Sequence, residues 1–378
     1  MLKSIPLHEP KFEGNEKKYL NQCINSTWVS TTGKFINTFE HKIAKYTGSK
    51  HAIFCINGTT ALQISLKIVG VKEGDEVIAP TLTFIAPINA IKYNNANPIF
   101  MDSDDYFNLD EEKTIEFINK ETFFKNGYTI NKLTKKVIRA LIVVHVFGNA
   151  AKINKLILLC KKRNIKIVED ASESLGTFYK KNKKHTGTIG DIGCISFNGN
   201  KIITAGAGGI ILTNSNHSNK TIRYLIKQAK DNSFKFIHNN IGYNFAQTNI
   251  NAALGLAQLE KLNEIIRLKS KLHNKYKQLS LNLKNINICE TPKYARNNNW
   301  LNIIKVKKNH RNKILKRLLS KNIQARPIWY LNHLQKQFKN NQFYKISKAS
   351  ELYNESICLP SSYHLKQQDV KKILKNII

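Results

Sequence analysis

Ile165-Lys166-Ile167-Val168-Glu169-Asp170 is an apolar run that stops on two carboxylates. Near-continuous runs of Val, Ile and Leu suit strands covered on both faces, since a strand with one wet face alternates apolar and polar residues. The run does not stand alone. Residues 139–146 form a longer one, and 192–197 with 209–213 read as an adjacent strand pair. Upstream, strands are predicted at 51–55, 76–79 and 98–101. Between them lie helical patterns at 61–69, 85–93 and 153–162, and a helix end at 39–46. Strand–helix alternation from about residue 40 to 215 predicts an α/β layer with a mostly parallel sheet. In such sheets polar groups at the carboxyl ends of strands are where sites assemble, which draws attention to Asp170.

After about residue 250 the pattern changes. Residues 252–279 read as one long helix, straight or bent, followed by a strand at 303–306, a basic helix at 312–319 and terminal helices. This predicts a large α/β domain over 1–255, with an N-terminal arm, and a smaller α+β domain over 256–378.

The 378 residues are 42% hydrophobic and 23% charged, which excludes wholesale disorder. No apolar run approaches the roughly 20 residues of a membrane span. The first residues show no secretory h-region. Six cysteines form no CxxC pair and several sit in apolar runs, which suits reduced thiols in a cytoplasmic protein and gives no metal site. The net charge of +34 at first suggests a nucleic-acid partner. Its distribution argues otherwise. Residues 1–130 are nearly neutral, and Glu290 is the only acid in 266–350. There Lys alternates with Leu and Ile at helical spacing, as on a solvated helix face, and no nucleic-acid-binding motif accompanies it. Nucleic acid is therefore not an expected partner.

Three features carry chemistry. Asn57-Gly58-Thr59-Thr60-Ala61 opens a helix after a strand, where free amides and hydroxyls suit a phosphate, although a plain N-cap reads the same way. Asp170 ends its strand either as a helix cap or as the partner of a cationic ring nitrogen. Lys201 follows Ser196-Phe197-Asn198-Gly199-Asn200, placed either for Schiff-base chemistry or as a surface lysine. Taken in this order on an α/β domain, the three are what pyridoxal 5′-phosphate needs: a phosphate turn, a carboxylate for the pyridine nitrogen, and a lysine for C4′.

With these motifs on the page, the sequence resembles the sugar-nucleotide aminotransferases of the DegT/DnrJ/EryC1/StrS family over nearly its whole length. The matching segments include Trp28-Val29-Ser30, Asn57 to Leu62, Gly74 to Pro80 with Thr83-Phe84, and His145-Val146-Phe147-Gly148. Further matches are Glu169-Asp170-Ala171, Gly190 to Lys201, Gly242-Tyr243-Asn244-Phe245, Asn251 to Leu259 and Arg326-Pro327. The resemblance implies a fold-type I homodimer with its active site at the subunit interface. It implies Lys201 as the Schiff-base lysine, Asp170 as the ring-nitrogen partner, and Gly58, Thr59, Thr60 and Ser196 around the phosphate. Phe84 matches the aromatic stacked on the ring, Glu173 lies near the cofactor, and Asn244 reaches the phosphate of the other subunit. Trp28, Ser30, Arg326 and His333 are expected beside the sugar nucleotide.

Two positions depart from the common pattern: Glu173 stands where a Gln is usual, and Ala246 where many relatives carry Arg. The segments Glu169 to Gly176 and Ser196 to Thr204 look closest to the branch that aminates UDP-4-keto-6-deoxy-N-acetylglucosamine-type sugars, on routes to legionaminic acid or bacillosamine. The implied reaction takes an amino group from glutamate to the 4-keto carbon. A 3-keto, dTDP- or GDP-linked acceptor is the alternative within the family. A non-catalytic member that binds nucleic acid or regulates is the alternative outside it.

Overall fold

The computed structural model describes residues 4–281, 283 and 286–377. Its centre is an eight-stranded sheet. In spatial order the strands are His51–Cys55, Gly209–Thr213, Ile192–Ser196, Lys166–Asp170, Ile138–Val144, Glu76–Pro80, Asn97–Met101 and Phe343–Tyr344. Only Gly209–Thr213 runs against the rest, flanked by the first and third strands of that order. The central strand Lys166–Asp170 is buried from Ile167 to Asp170, as expected for a strand covered on both faces.

The covering helices follow from the apolar patterns. Gly58–Ile68 begins where Asn57, in an extended conformation, accepts a hydrogen bond on its side chain from the Thr60 amide at 2.8 Å. Its residues Ala61, Leu62, Ile64 and Leu66 are fully buried against the sheet, and each large side chain so buried stabilises the fold by about 1.5–3 kcal/mol. The helix stops before Gly70, whose φ of 89° belongs to the left-handed region. Helices Lys34–Thr47 and Asn249–Glu260 pack on each other. Phe39 lies between them and the sheet, edge-on to Phe54 and Phe197 at 5.0 and 5.1 Å. A Cβ on Gly255 would come within 2.9 Å of the Phe39 ring, so the close approach of the two helices requires glycine there.

A second, four-stranded sheet has the order Ile286–Ile288, Asn302–Val306, Ser356–Leu359, Arg326–Pro327. It carries its own apolar core with helices Leu262–Ser280, Arg311–Ser320 and Gln367–Lys375.

Two details differ from the sequence reading. The long helix expected over 252–279 is two helices, Asn249–Glu260 and Leu262–Ser280, parted at Lys261. Helical periodicity continues through the break, so the pattern alone does not show it. The strand Phe343–Tyr344, from the later part of the chain, closes the edge of the first sheet beside Asn97–Met101. Two residues are too short a run to register as a strand in the sequence. The N-terminal arm does the converse: Ile5 bridges Ile323 and joins the core of the second sheet. No helix among the described residues is long and apolar enough to cross a membrane.

Candidate active site

The carboxyl ends of the central strands open into a cavity of about 560 Å³. Gly58, Thr59, Phe84, Asp170, Glu173, Ser196, Lys201 and Arg326 all line it. Residues spread over most of the chain thus meet at one place. The register explains the first group: Asp170 pairs with Cys194, so Ser196 lies just beyond Asp170 on the neighbouring strand. The start of helix Gly58–Ile68 meets them there. A Cβ on Gly58 would fall 2.9 Å from the Ser196 Cβ and 3.3 Å from the hydroxyls of Ser196 and Ser172.

This corner fits a phosphate. The amides of Gly58 and Thr59 are the first of the helix and have no partner within it. They face a cradle that Ser196 and Ser172 share and that only glycine leaves open. The Asp170 carboxylate is buried, and its Oδ1 accepts from the Ser172 amide at 3.0 Å. It stands in the cavity wall as a fixed negative charge, suited to a cationic ring nitrogen.

Lys201 is held from three sides. Its amide donates to the Asn198 carbonyl at 3.0 Å, and its Nζ lies 3.5 Å from Glu173 Oε1 and 4.6 Å from the centre of the Trp300 ring. Trp300 is fixed in turn, its Nε1 donating to the Asn200 carbonyl at 2.8 Å. The carbonyl of Trp300 accepts from the fully buried Lys269, whose Nζ also donates to Ser361 O, both at 2.7 Å. Glu173 is buried with Oε2 accepting from the Phe147 amide at 2.8 Å. Burial pushes its carboxyl up to about 7, against the opposing pull of Lys201 and the Phe147 amide. Behind it, the buried Glu169 accepts from the amides of Gly187, Ile189 and Gly190 and meets His145 Nε2 at 3.0 Å.

An aromatic wall faces these groups. Phe84 is half exposed in the cavity and meets Trp329 edge-on at 6.4 Å. Trp329 stacks on Phe147 at 4.6 Å. Phe147 holds φ at 57°, an uncommon value for a non-glycine residue, and this turn aims its amide at Glu173.

Other expected site residues lie elsewhere. Thr60 turns from the cavity, its hydroxyl donating to the Asn57 carbonyl at 2.9 Å. His333 lies behind the wall, with Nδ1 against Thr81 Oγ1 at 2.6 Å and its ring beside Phe100 and Phe343. It fastens the closing edge strand rather than lining the cavity. Trp28, Ser30 and Asn244 are exposed and outside this chain's cavity. Trp28 and Ser30 are tied to Asn249 through their carbonyls. Ala246 lines a separate hollow of about 210 Å³ with Lys227 and Arg223, the latter paired with Glu40 at 2.7 Å.

His8, Trp300, Gln324 and Trp329 line the cavity without having been singled out in the sequence. One signal was available for two of them: they are two of only three tryptophans in the chain. No three or more His, Cys, Asp or Glu among the described residues are grouped to hold a metal ion.

A lysine, a strand-end carboxylate and a cradle suited to a phosphate in one cavity of this fold fit a pyridoxal-phosphate-dependent enzyme. The chain belongs to the DegT/DnrJ/EryC1/StrS aminotransferase family, whose model matches residues 10–378. It is 36% identical over 381 residues to a GDP-perosamine synthase of Escherichia coli O157:H7, covering 100% of this chain and 98% of the relative. It is 32% identical over 378 residues to a GDP-perosamine synthase of Caulobacter vibrioides, covering 99% and 97%. The structure of Helicobacter pylori PseC, described as an aminotransferase involved in the biosynthesis of pseudoaminic acid, superposes with a TM-score of 0.89 at 22% identity, covering 99% and 98%. That likeness carries the fold. The protein is accordingly an aminotransferase of this family, with pyridoxal phosphate as cofactor. The UDP-sugar branch expected from the two quoted segments is not supported by these two curated relatives, both named as GDP-perosamine synthases.

Proposed function

We propose that this enzyme transfers the amino group of glutamate to a GDP-linked 4-keto-6-deoxy sugar, giving a product of the GDP-perosamine type. The observation that carries the reaction is the convergence of Lys201, Asp170 and the Gly58 cradle in one cavity. The choice of GDP over UDP rests on the relatives.

Bound pyridoxal phosphate supplies an electron sink in which an amino group is stored between two substrates. The chain's residues do the rest. Gly58, Thr59 and Ser196 would hold the phosphate, and the Asp170 carboxylate would keep the ring nitrogen protonated. Lys201 would anchor the cofactor through Nζ, and its amine, when free, would take up and return a proton at that atom. Glu173 Oε1 and the Trp300 face keep that amine in position. Arg326, exposed at the mouth, offers a guanidinium to an anionic group of the substrate.

A homodimer completes the site in this reading. Asn244, Trp28 and Ser30 are exposed, and so are Phe234 and Ile241, at 89% and 86%. Apolar side chains so exposed are suited to burial against a second copy.

The test is Lys201→Ala. The variant is expected to lose the yellow chromophore of the lysine-bound cofactor and to transaminate at least about 10²–10⁴-fold more slowly. Undiminished turnover with glutamate and a GDP-linked keto sugar refutes the assignment.

A further inference from the structure

One titratable side chain in the cavity has no part in the reaction described above. His8 lines it from the N-terminal arm. The arm is fastened on both sides of this residue. The Leu7 amide donates to Gln324 Oε1 at 3.1 Å, and the Leu7 carbonyl accepts from the Ser361 amide at 2.6 Å. The Glu9 amide donates to Ser362 Oγ at 3.0 Å, and the Glu9 carboxylate meets His364 Nε2 at 2.9 Å. His8 is therefore held at the wall by backbone bonds made on either side of it.

Both ring nitrogens of His8 are shut off from solvent, and neither has a hydrogen-bond partner among the described residues. Folded proteins seldom leave such groups unpaired, and at a cavity wall a ligand atom is the natural partner. Burial, then the nearby Lys269, His364 and Lys201, hold its pKa well below the ordinary value. At neutral pH the ring thus carries one N–H donor and one bare acceptor nitrogen. That pair complements a hydroxyl, which also gives one hydrogen bond and accepts another. It matches a carboxylate or phosphate poorly, since these only accept.

We propose that His8 is a specificity-determining residue that hydrogen-bonds a hydroxyl of the acceptor sugar. The inference rests on the aminotransferase reading of the same cavity. Glutamate has no hydroxyl, so the contact is confined to the sugar half of the reaction. His8 is placed here by the fold of the arm, and Gln324 beside it is occupied in holding Leu7.

The experiment follows cofactor absorbance in both half-reactions for wild type, His8→Ala and His8→Gln, each loaded with cofactor. One half-reaction uses glutamate. The other uses whichever of the GDP-, dTDP- and UDP-linked 4-keto-6-deoxy sugars the wild type accepts. His8→Ala is expected to raise the half-saturating sugar concentration by about tenfold, the worth of one neutral hydrogen bond at the upper end. His8→Gln, which keeps a donor and an acceptor, recovers most of this. The glutamate half-reaction stays unchanged in both variants. Unchanged sugar saturation, or equal losses in both half-reactions, overturns the proposal. A wild type that accepts glutamate and none of the keto sugars overturns the parent reading and this inference together.

Discussion

The floor and the wall of the cavity are built differently. The floor consists of Gly58, Asp170, Ser196 and Lys201, all at or near strand ends of the first sheet. Its geometry is fixed by strand register and by one helix N-terminus. The wall brings His8 from the arm, Trp300 from the second sheet's side, and Gln324, Arg326 and Trp329 from later still. Its geometry depends on how separate segments dock. The floor suits a group that never changes, the cofactor. The wall can vary from one protein to the next without disturbing the sheet, which is where a choice among sugars belongs.

This contrast can be broken by substitution. The largest effect is expected on the floor. Asp170→Ala removes the fixed charge and should slow both half-reactions by about 10²–10³-fold, by analogy with the loss of one preorganised electrostatic group. Stopped-flow absorbance with each substrate in turn measures it. A selective loss with the sugar alone would erase the distinction between floor and wall.

On the wall, Arg326→Ala should act unevenly. Loss of a hydrogen bond to a charged group is worth about 1.5–3 kcal/mol. The expected result is a KM for the nucleotide sugar raised about 10–100-fold, with the affinity for pyridoxal phosphate unaltered. Weakened cofactor binding in that variant would show that the guanidinium belongs to the floor.

The smallest effect concerns Glu173, where floor and wall meet. Its carboxyl rises from an ordinary 4.5 to about 7. Below pH 4.5 it is protonated in both folded and unfolded chains. Between 4.5 and about 7 the unfolded chain releases a proton that the folded chain keeps, so wild-type stability falls as pH rises through that window. Glu173→Gln carries no such titration. In cofactor-free protein its melting temperature should therefore gain on the wild type from pH 4.5 to 7 and hold that gain above. A constant difference across the range would mean that Glu173 is ionised throughout, paired with Lys201.

Much of the floor was legible. Asp170 and Lys201 stood out because an apolar run ending in a polar group is visible along the chain, and their common order with Asn57-Gly58-Thr59 pointed to one cofactor. The wall was legible only in part. Arg326 was found through resemblance. His333 was expected beside it, yet the Thr81 hydroxyl draws it behind the aromatic layer. Thr60 belongs to the right turn but faces the wrong way, because its hydroxyl caps its own helix. The glutamate at 173 looked like a departure from pattern, and the structure gives it the Phe147 amide and Lys201 as partners.

By itself the sequence determined the alternation of buried strands and helices, the cofactor class and the residues of the floor. These depend on local periodicity and on groups attached to strand ends, both of which are written along the chain. Only the tertiary structure decided that the early arm would carry His8 into the cavity, that Phe343–Tyr344 would close the first sheet, and that Trp300 would cover Lys201. Those outcomes depend on contacts between segments hundreds of residues apart, set by packing and by backbone hydrogen bonds that no local pattern encodes.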